Sequence, residues 1–376
     1  MITFKQFLIE QELLLCGGNV EIETPEGVAS AQKIDLQKIN RTEIVSVLAV
    51  GLDLINKAFE KRTGLPLWDD ELFKSRKFLS GSAFHFFDLQ TIDDEEFVKA
   101  KSTVGDIDTQ VSGSMATMVK DFLDDIKGKE FGPLKNIGYK PTGGQFISLW
   151  RCEKFDINIQ IDLEMVAFDA NGKPTEWSQF SHGSAWEDLK VGVKGVFSKY
   201  LYGSLTKPNT KKFILKAKTA RGKDKIINSS EMSFSVSHGL RNKYKPILDS
   251  KGIHVYEDDL PTYTELTTAQ SNNIMDLAAI FTIFFGHQPA KNELDQMNSF
   301  IGTLQLIKQH LGNSSNEIAD AFAWKLWGTG AQGLYRGDGI RDHHEKMIAM
   351  KILCDELNCD INQFNDMIED YYRKFK

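Results

Sequence analysis

Cysteine is scarce, net positive charge is missing and no apolar run is long enough to cross a bilayer; each shortage removes a class of protein. The four cysteines in 376 residues, Cys16, Cys152, Cys354 and Cys359, stand far apart or in a spacing without partner histidines. That suits reduced thiols in a cytoplasmic protein and speaks against a disulfide framework or a zinc site built on them. A formal charge of -7 argues against a surface coated with phosphate-binding residues, although a local basic patch is still compatible with it. The longest apolar stretch, residues 274–285, contains Asp276 and is too short for a membrane span. The start, MITFKQFLIEQELLLCGG, is interrupted by Glu10 and Glu12 and carries Leu15 where a lipoprotein leader needs a small residue, so no signal peptide and no membrane partner are expected. Internal repeats and low-complexity tracts are lacking too.

What is present is ordinary globular composition, 41% hydrophobic and 26% charged, in a chain long enough for two or three domains. Residues 41–62 place Ile44, Leu48, Leu52, Ile55 and Phe59 at helical spacing and stop before Gly64 and Pro66. A short strand-like RKFL leads into SGS at 80–82 and the aromatic run AFHFF, after which residues 89–103 read as a polar loop. A helix is expected over 113–129. Two strands follow, GGQFISLWRC and FDINIQIDLEMVAF; the second alternates, with Ile157, Ile159, Ile161 and Leu163 on a core face and Asn158, Gln160, Asp162 and Glu164 on a wet one. Residues 184–205 read as one helix, 207–225 as a basic hairpin and SFSVSHGL as a strand. From about Thr264 the pattern turns helical. The expected organisation is an N-terminal extension over 1–40, a catalytic α/β domain over 41–255 and an all-helical domain over 262–376, after a linker near EDDLPTY.

The chemistry concentrates in VGDIDTQV. In an extended chain alternate side chains share a face, so Asp106 and Asp108 crowd two carboxylates together, which is unfavourable unless a cation compensates. A third carboxylate on a neighbouring strand completes a set of hard oxygen ligands suited to Mg²⁺ or Mn²⁺. Asp162, in the middle of INIQIDLEM, is the natural third member, and Glu164 is the next candidate on its face. Gly81-Ser82 can grip a triphosphate, because glycine lets backbone approach phosphate and the serine hydroxyl can bond it.

In order and polarity, LSGS, VGDIDTQV and IQIDLEM resemble the pattern of the DNA polymerase β-like nucleotidyltransferase superfamily, whose phage-encoded members the chain as a whole is similar to. The resemblance covers about residues 40–240. It implies a palm with a mixed sheet, an NTP such as ATP and a divalent metal as ligands, and transfer of a nucleoside monophosphate to a hydroxyl on an RNA 3′ end or a protein. On that carry-over Gly81 and Ser82 hold the triphosphate, Asp106 and Asp108 bind metal, and Asp162 binds metal and helps activate the nucleophile. The gap between Ser82 and Asp106 is longer than usual for the family.

Other features have two readings each. The lysines of 207–225, Lys216 and Lys218 among them, serve either as a solvated hairpin or as contacts to NTP phosphates or an RNA backbone. Gly143-Gly144 marks a hairpin turn or a second phosphate loop. His343 and His344, in RDHHEKM, suggest helix-packing histidines or, if they meet carboxylates in a pocket, a phosphoesterase; His182 and His238 lack a nucleophile beside them. A catalytically silent member of the same fold, acting as an interaction protein, is the alternative to the enzyme.

Overall fold

The computed structural model describes residues 21–25, 27–30, 39–87, 94–100, 103–104, 106–142, 144–207, 213–218, 224–229, 232–236, 238–242, 244–257, 260–265, 272–327 and 339–375. They are of mixed α/β type and fall into two compact units, Met1–Gly192 and Val193–Lys376.

The first unit runs β1 (Glu21–Thr24), β2 (Gly27–Ser30), β3 (Ile39–Asn40), α1 (Arg41–Thr63), α2 (Asp70–Ser75), α3 (Gly81–Phe87), α4 (Asp94–Ala100), β4 (Thr103–Val104), β5 (Asp106–Ser112), α5 (Ala116–Ile126), β6 (Glu130–Phe131), β7 (Leu134–Thr142), β8 (Gln145–Cys152), β9 (Ile157–Val166), α6 (Glu176–His182) and α7 (Trp186–Lys190). Its main sheet has the order β2-β1-β7-β8-β9-β5, with β6 beside β7. All these pairs are antiparallel except β5 with β9, which is parallel. A parallel neighbour needs a long crossover, and α5 with the β7–β8 hairpin supplies it. The sheet buries Ile107, Val111, Ile159 and Ile161 in one continuous cluster with Leu48, Leu52 and Phe59 of α1, Ala83 and Phe86 of α3, and Val119 and Phe122 of α5. Phe59 meets Phe122 edge to face, with ring centroids 5.2 Å apart.

Within the stretch expected as an N-terminal extension, β1 joins the sheet beside β7. The contact is close at Gly138, where a Cβ would lie 2.1 Å from the Glu23 carbonyl oxygen, so only glycine fits. The helix expected over 184–205 is two helices, because Gly192 takes φ +77°, a left-handed conformation that ends α7. The boundary between the units falls at that break.

The second unit holds α8 (Gly195–Leu205), β10 (Phe213–Lys218), β11 (Asp224–Ser229), β12 (Met232–Ser235), β13 (Gly239–Asn242), β14 (Tyr244–Pro246), β15 (Tyr256–Glu257), β16 (Leu260–Glu265), β17 (Asn273–Ile274), α9 (Leu277–Phe285), α10 (Lys291–Met297), α11 (Phe300–His310), α12 (Ser315–Trp327), α13 (Gly339–Leu357) and α14 (Asn365–Phe375). One sheet has the order β11-β10-β16-β14 with β15 on β16, and a smaller one β12-β13-β17. SFSVSHGL thus contributes to two antiparallel strands, β12 and β13, the second opening at Gly239 with φ +71°. The helical stretch starts at Leu277, later than the sequence suggests, since 260–265 and 273–274 are taken into sheets. It shares its unit with those sheets and with α8, whose Tyr202 hydroxyl donates to the Met297 carbonyl oxygen at 2.9 Å. Among the described residues no helix is long and apolar enough to cross a membrane.

Candidate active site

β5 is the edge strand of the main sheet, and its exposed backbone groups must find partners. The segment before α3 provides them. Gln110 N–H donates to the Phe78 carbonyl oxygen at 2.6 Å, Ser80 N–H to the Asp108 carbonyl oxygen at 3.0 Å, and Leu79 bridges Thr109 in antiparallel sense. Trp68 Nε1 donates to the Gln110 carbonyl oxygen at 2.9 Å, and two bonds with Asn56 clamp the Trp68 backbone. RKFL is thereby a strip on the β5 edge, and it delivers the SGS turn beside Asp108. Gly81 has φ +56°, and a Cβ there would meet Asp108 Oδ2 at 2.5 Å. The left-handed conformation favours glycine at this point.

The parallel register sets Asp106 opposite Gln160, Asp108 opposite Asp162 and Gln110 opposite Glu164. Because both strands alternate with period two, these six side chains share one face. Asp106, Asp108 and Asp162 converge there, offering carboxylate oxygens all within 4.8 Å of one another. The long gap between Ser82 and Asp106 is occupied by α3, α4 and β4 and does not separate Gly81 from Asp108.

The face is partly covered: Asn158, Gln160 and Glu164 are half-buried, and Asp162 is buried. Asp162 is 5% exposed, because the SGS strip and α6 lie over it: Gln110 Nε2 donates to the Ser178 carbonyl oxygen at 3.1 Å, and Gly81 bridges Gly183. His85 of α3 holds the Ser184 carbonyl oxygen at 2.7 Å. Burial, with Asp106 close by, pushes the Asp162 carboxyl up to about 8, opposed by Gln160 Nε2, which donates to both of its oxygens at 3.0 and 3.1 Å. Three carboxylates this close cannot all ionise comfortably near neutral pH without a cation among them. The all-oxygen donor set fits a hard divalent ion.

Glu164, the other sequence candidate on this face, has a different task. Its Oε2 accepts from Ser80 Oγ at 2.7 Å and its Oε1 faces His182 Nδ1 at 2.9 Å. It ties the SGS strip to β9 and α6. Ser80 and His182 carry no signal in the sequence pattern: His182 has no nucleophile beside it, and its partner is a carboxylate 18 residues upstream. Ser82 is buried at the start of α3.

Lys216 and Lys218 lie on β10 of the second unit, and their side chains fall outside the described residues. So do those of His343 and His344, on α13. Gly144, with φ +114°, belongs to the turn of the β7–β8 hairpin. A cavity of about 710 Å³ opens past the C-terminal ends of β5 and β9, lined by Leu67, Asp69, Ser112, Met115 and Phe168 among others. None of the three aspartates lines it, so it is not the space in front of the carboxylates. Comparison of the chain with protein-family models, curated proteins and solved structures returns no match, and the geometry alone carries the functional reading.

Proposed function

We propose that the protein is a metal-dependent nucleotidyltransferase that moves a nucleoside monophosphate from an NTP to an acceptor hydroxyl, on an RNA 3′ end or a protein, and releases pyrophosphate. The observation that carries this reading is the convergence of Asp106 and Asp108 with Asp162, from the parallel neighbouring strand, beside a turn at Gly81 with φ +56°. Asp106, Asp108 and Asp162 would hold Mg²⁺ or Mn²⁺, which would supply charge neutralisation at the attacking hydroxyl and the leaving pyrophosphate.

The chain's own residues supply positioning and proton transfer. Asp162, paired across the strands with Asp108, would help hold the metal and, through its other carboxylate oxygen, take the acceptor hydroxyl's proton. Gly81 lets the triphosphate approach the backbone next to Asp108, with the Ser82 hydroxyl as a further donor. Glu164 acts by positioning, since it holds Ser80 and thereby the turn.

The test is incubation of the purified protein with α-labelled NTPs, Mg²⁺ or Mn²⁺ and an extract of total RNA and protein, beside the Asp106→Ala/Asp108→Ala variant. Label on RNA or protein that requires the intact aspartates supports the proposal and names the acceptor class. Absence of transfer with either metal, together with absence of NTP binding by calorimetry, would replace it with the silent-fold reading.

A further inference from the structure

The second unit contains another group of ligand-bearing side chains, independent of the nucleotidyltransferase reading. Helix α9 ends at Gly286, whose φ of +82° and N–H bond to the Thr282 carbonyl oxygen turn the chain outward. His287 follows directly. Glu293 sits in the first turn of α10, and His310 is the last residue of α11. Three helix ends thus bring two imidazoles and a carboxylate together, with ligand atoms all within 4.8 Å of one another.

The orientation of each group favours a cation at their focus. His287 Nδ1 lies 3.3 Å from the Phe285 carbonyl oxygen, which only accepts, so the ring proton belongs on Nδ1. The lone pair of a neutral imidazole is then on Nε2, which faces Glu293 Oε1 at 3.4 Å. His310 Nε2 faces the same oxygen at 3.0 Å. The two rings lie side by side, with centroids 4.6 Å apart. One divalent cation satisfies all three groups. The Glu293 carboxylate is aimed by its second oxygen, which accepts from Ala290 N–H at 2.7 Å, and the rings are packed by Phe281, 5.1 Å from His287, and Phe285, 5.6 Å from His310. Such outer partners are what hold metal ligands in place.

We infer that His287 Nε2, Glu293 Oε1 and His310 Nε2 form a site for one transition-metal cation of the zinc class. In a tetrahedral site with N and O ligands about 2.0–2.1 Å from zinc, ligand atoms are about 3.3 Å apart, close to the 3.4 and 3.0 Å that separate the two imidazole nitrogens from Glu293 Oε1. Imidazole selects against Mg²⁺ and Ca²⁺. Because His287 is exposed, one position faces solvent, giving three protein ligands and an open fourth.

The full-length protein, stripped with chelator, is titrated with Zn²⁺ by calorimetry and with Co²⁺ by visible absorption. One Zn²⁺ per chain is expected to bind at this cluster in the wild type and in Asp106→Asn/Asp108→Asn, with affinity reduced by at least about 100-fold in His310→Gln and in Glu293→Gln, which keeps an acceptor for Ala290 N–H. Bound Co²⁺ is expected to show the intense bands of a four-coordinate site in the wild type, a readout that needs no variant to fold. Weak octahedral bands with Co²⁺, or Zn²⁺ affinity unchanged by the histidine substitution, would overturn the assignment.

Discussion

At Asp162 a carboxyl is 5% exposed and close to two others, and its proton affinity is the first consequence. The folded-state value of about 8 stands above the ordinary 3.8, chiefly through burial. The folded chain therefore binds a proton that the unfolded chain releases, so this contribution to stability is full below about pH 4 and is lost as pH rises through about 8. Urea midpoints measured in chelator at pH 5, 7 and 9 are expected to fall more steeply for the wild type than for Asp162→Asn; parallel profiles would show that burial does not act on this group. The same crowding predicts a trade between stability and activity at its neighbours. Asp106→Asn or Asp108→Asn is expected to leave the metal-free thermal midpoint unchanged or higher, while transfer falls by about 10³-fold or more, roughly 4 kcal/mol of transition-state stabilisation. A midpoint several degrees lower would mean that the carboxylates are structural.

At the level of elements, the site depends on a strip of chain that pairs with the edge of β5. Gly81→Ala tests the strip, since a methyl group would meet both an unfavourable φ of +56° and Asp108 Oδ2 at 2.5 Å. A loss of about 1 kcal/mol or more in stability, with weakened Mn²⁺ binding, is expected from denaturant titration and calorimetry; a neutral substitution would show that the turn gives way easily. Local pattern made much of this legible. The helical spacing from Ile44 to Phe59 marks α1, and the alternation from Ile157 to Leu163 marks β9. What it did not carry is the long-range part. That Asp108 faces Asp162, that 78–80 line β5 and that α6 packs by Gln110 are matters of register and packing between distant segments, so Asp162 is buried on a face that alternates like a wet one. His287, Glu293 and His310 are spaced by 6 and 17 residues, which matches no helical or strand period.

For the whole molecule, two compact units, each with its own core, imply separable behaviour. Calorimetric unfolding is expected to resolve two transitions: Mg²⁺ or Mn²⁺ raises the one that Asp106→Asn desensitises, and Zn²⁺ raises the other. A single transition moved equally by both metals would mean that the units unfold as one. The division at Gly192 was not legible in composition, because the break is a single left-handed glycine within a stretch whose apolar stripe runs on through it.

On the proposed function, three aspartates on β5 and β9 bind a divalent metal together with a nucleoside triphosphate. Mn²⁺ titration followed by electron paramagnetic resonance, with and without a non-hydrolysable NTP analogue, on the wild type and on Asp106→Asn/Asp108→Asn, measures that binding. The expected result is Mn²⁺ binding that the analogue tightens and that vanishes in the double variant. Binding that is indifferent to the analogue, or that survives the loss of both aspartates, would contradict it.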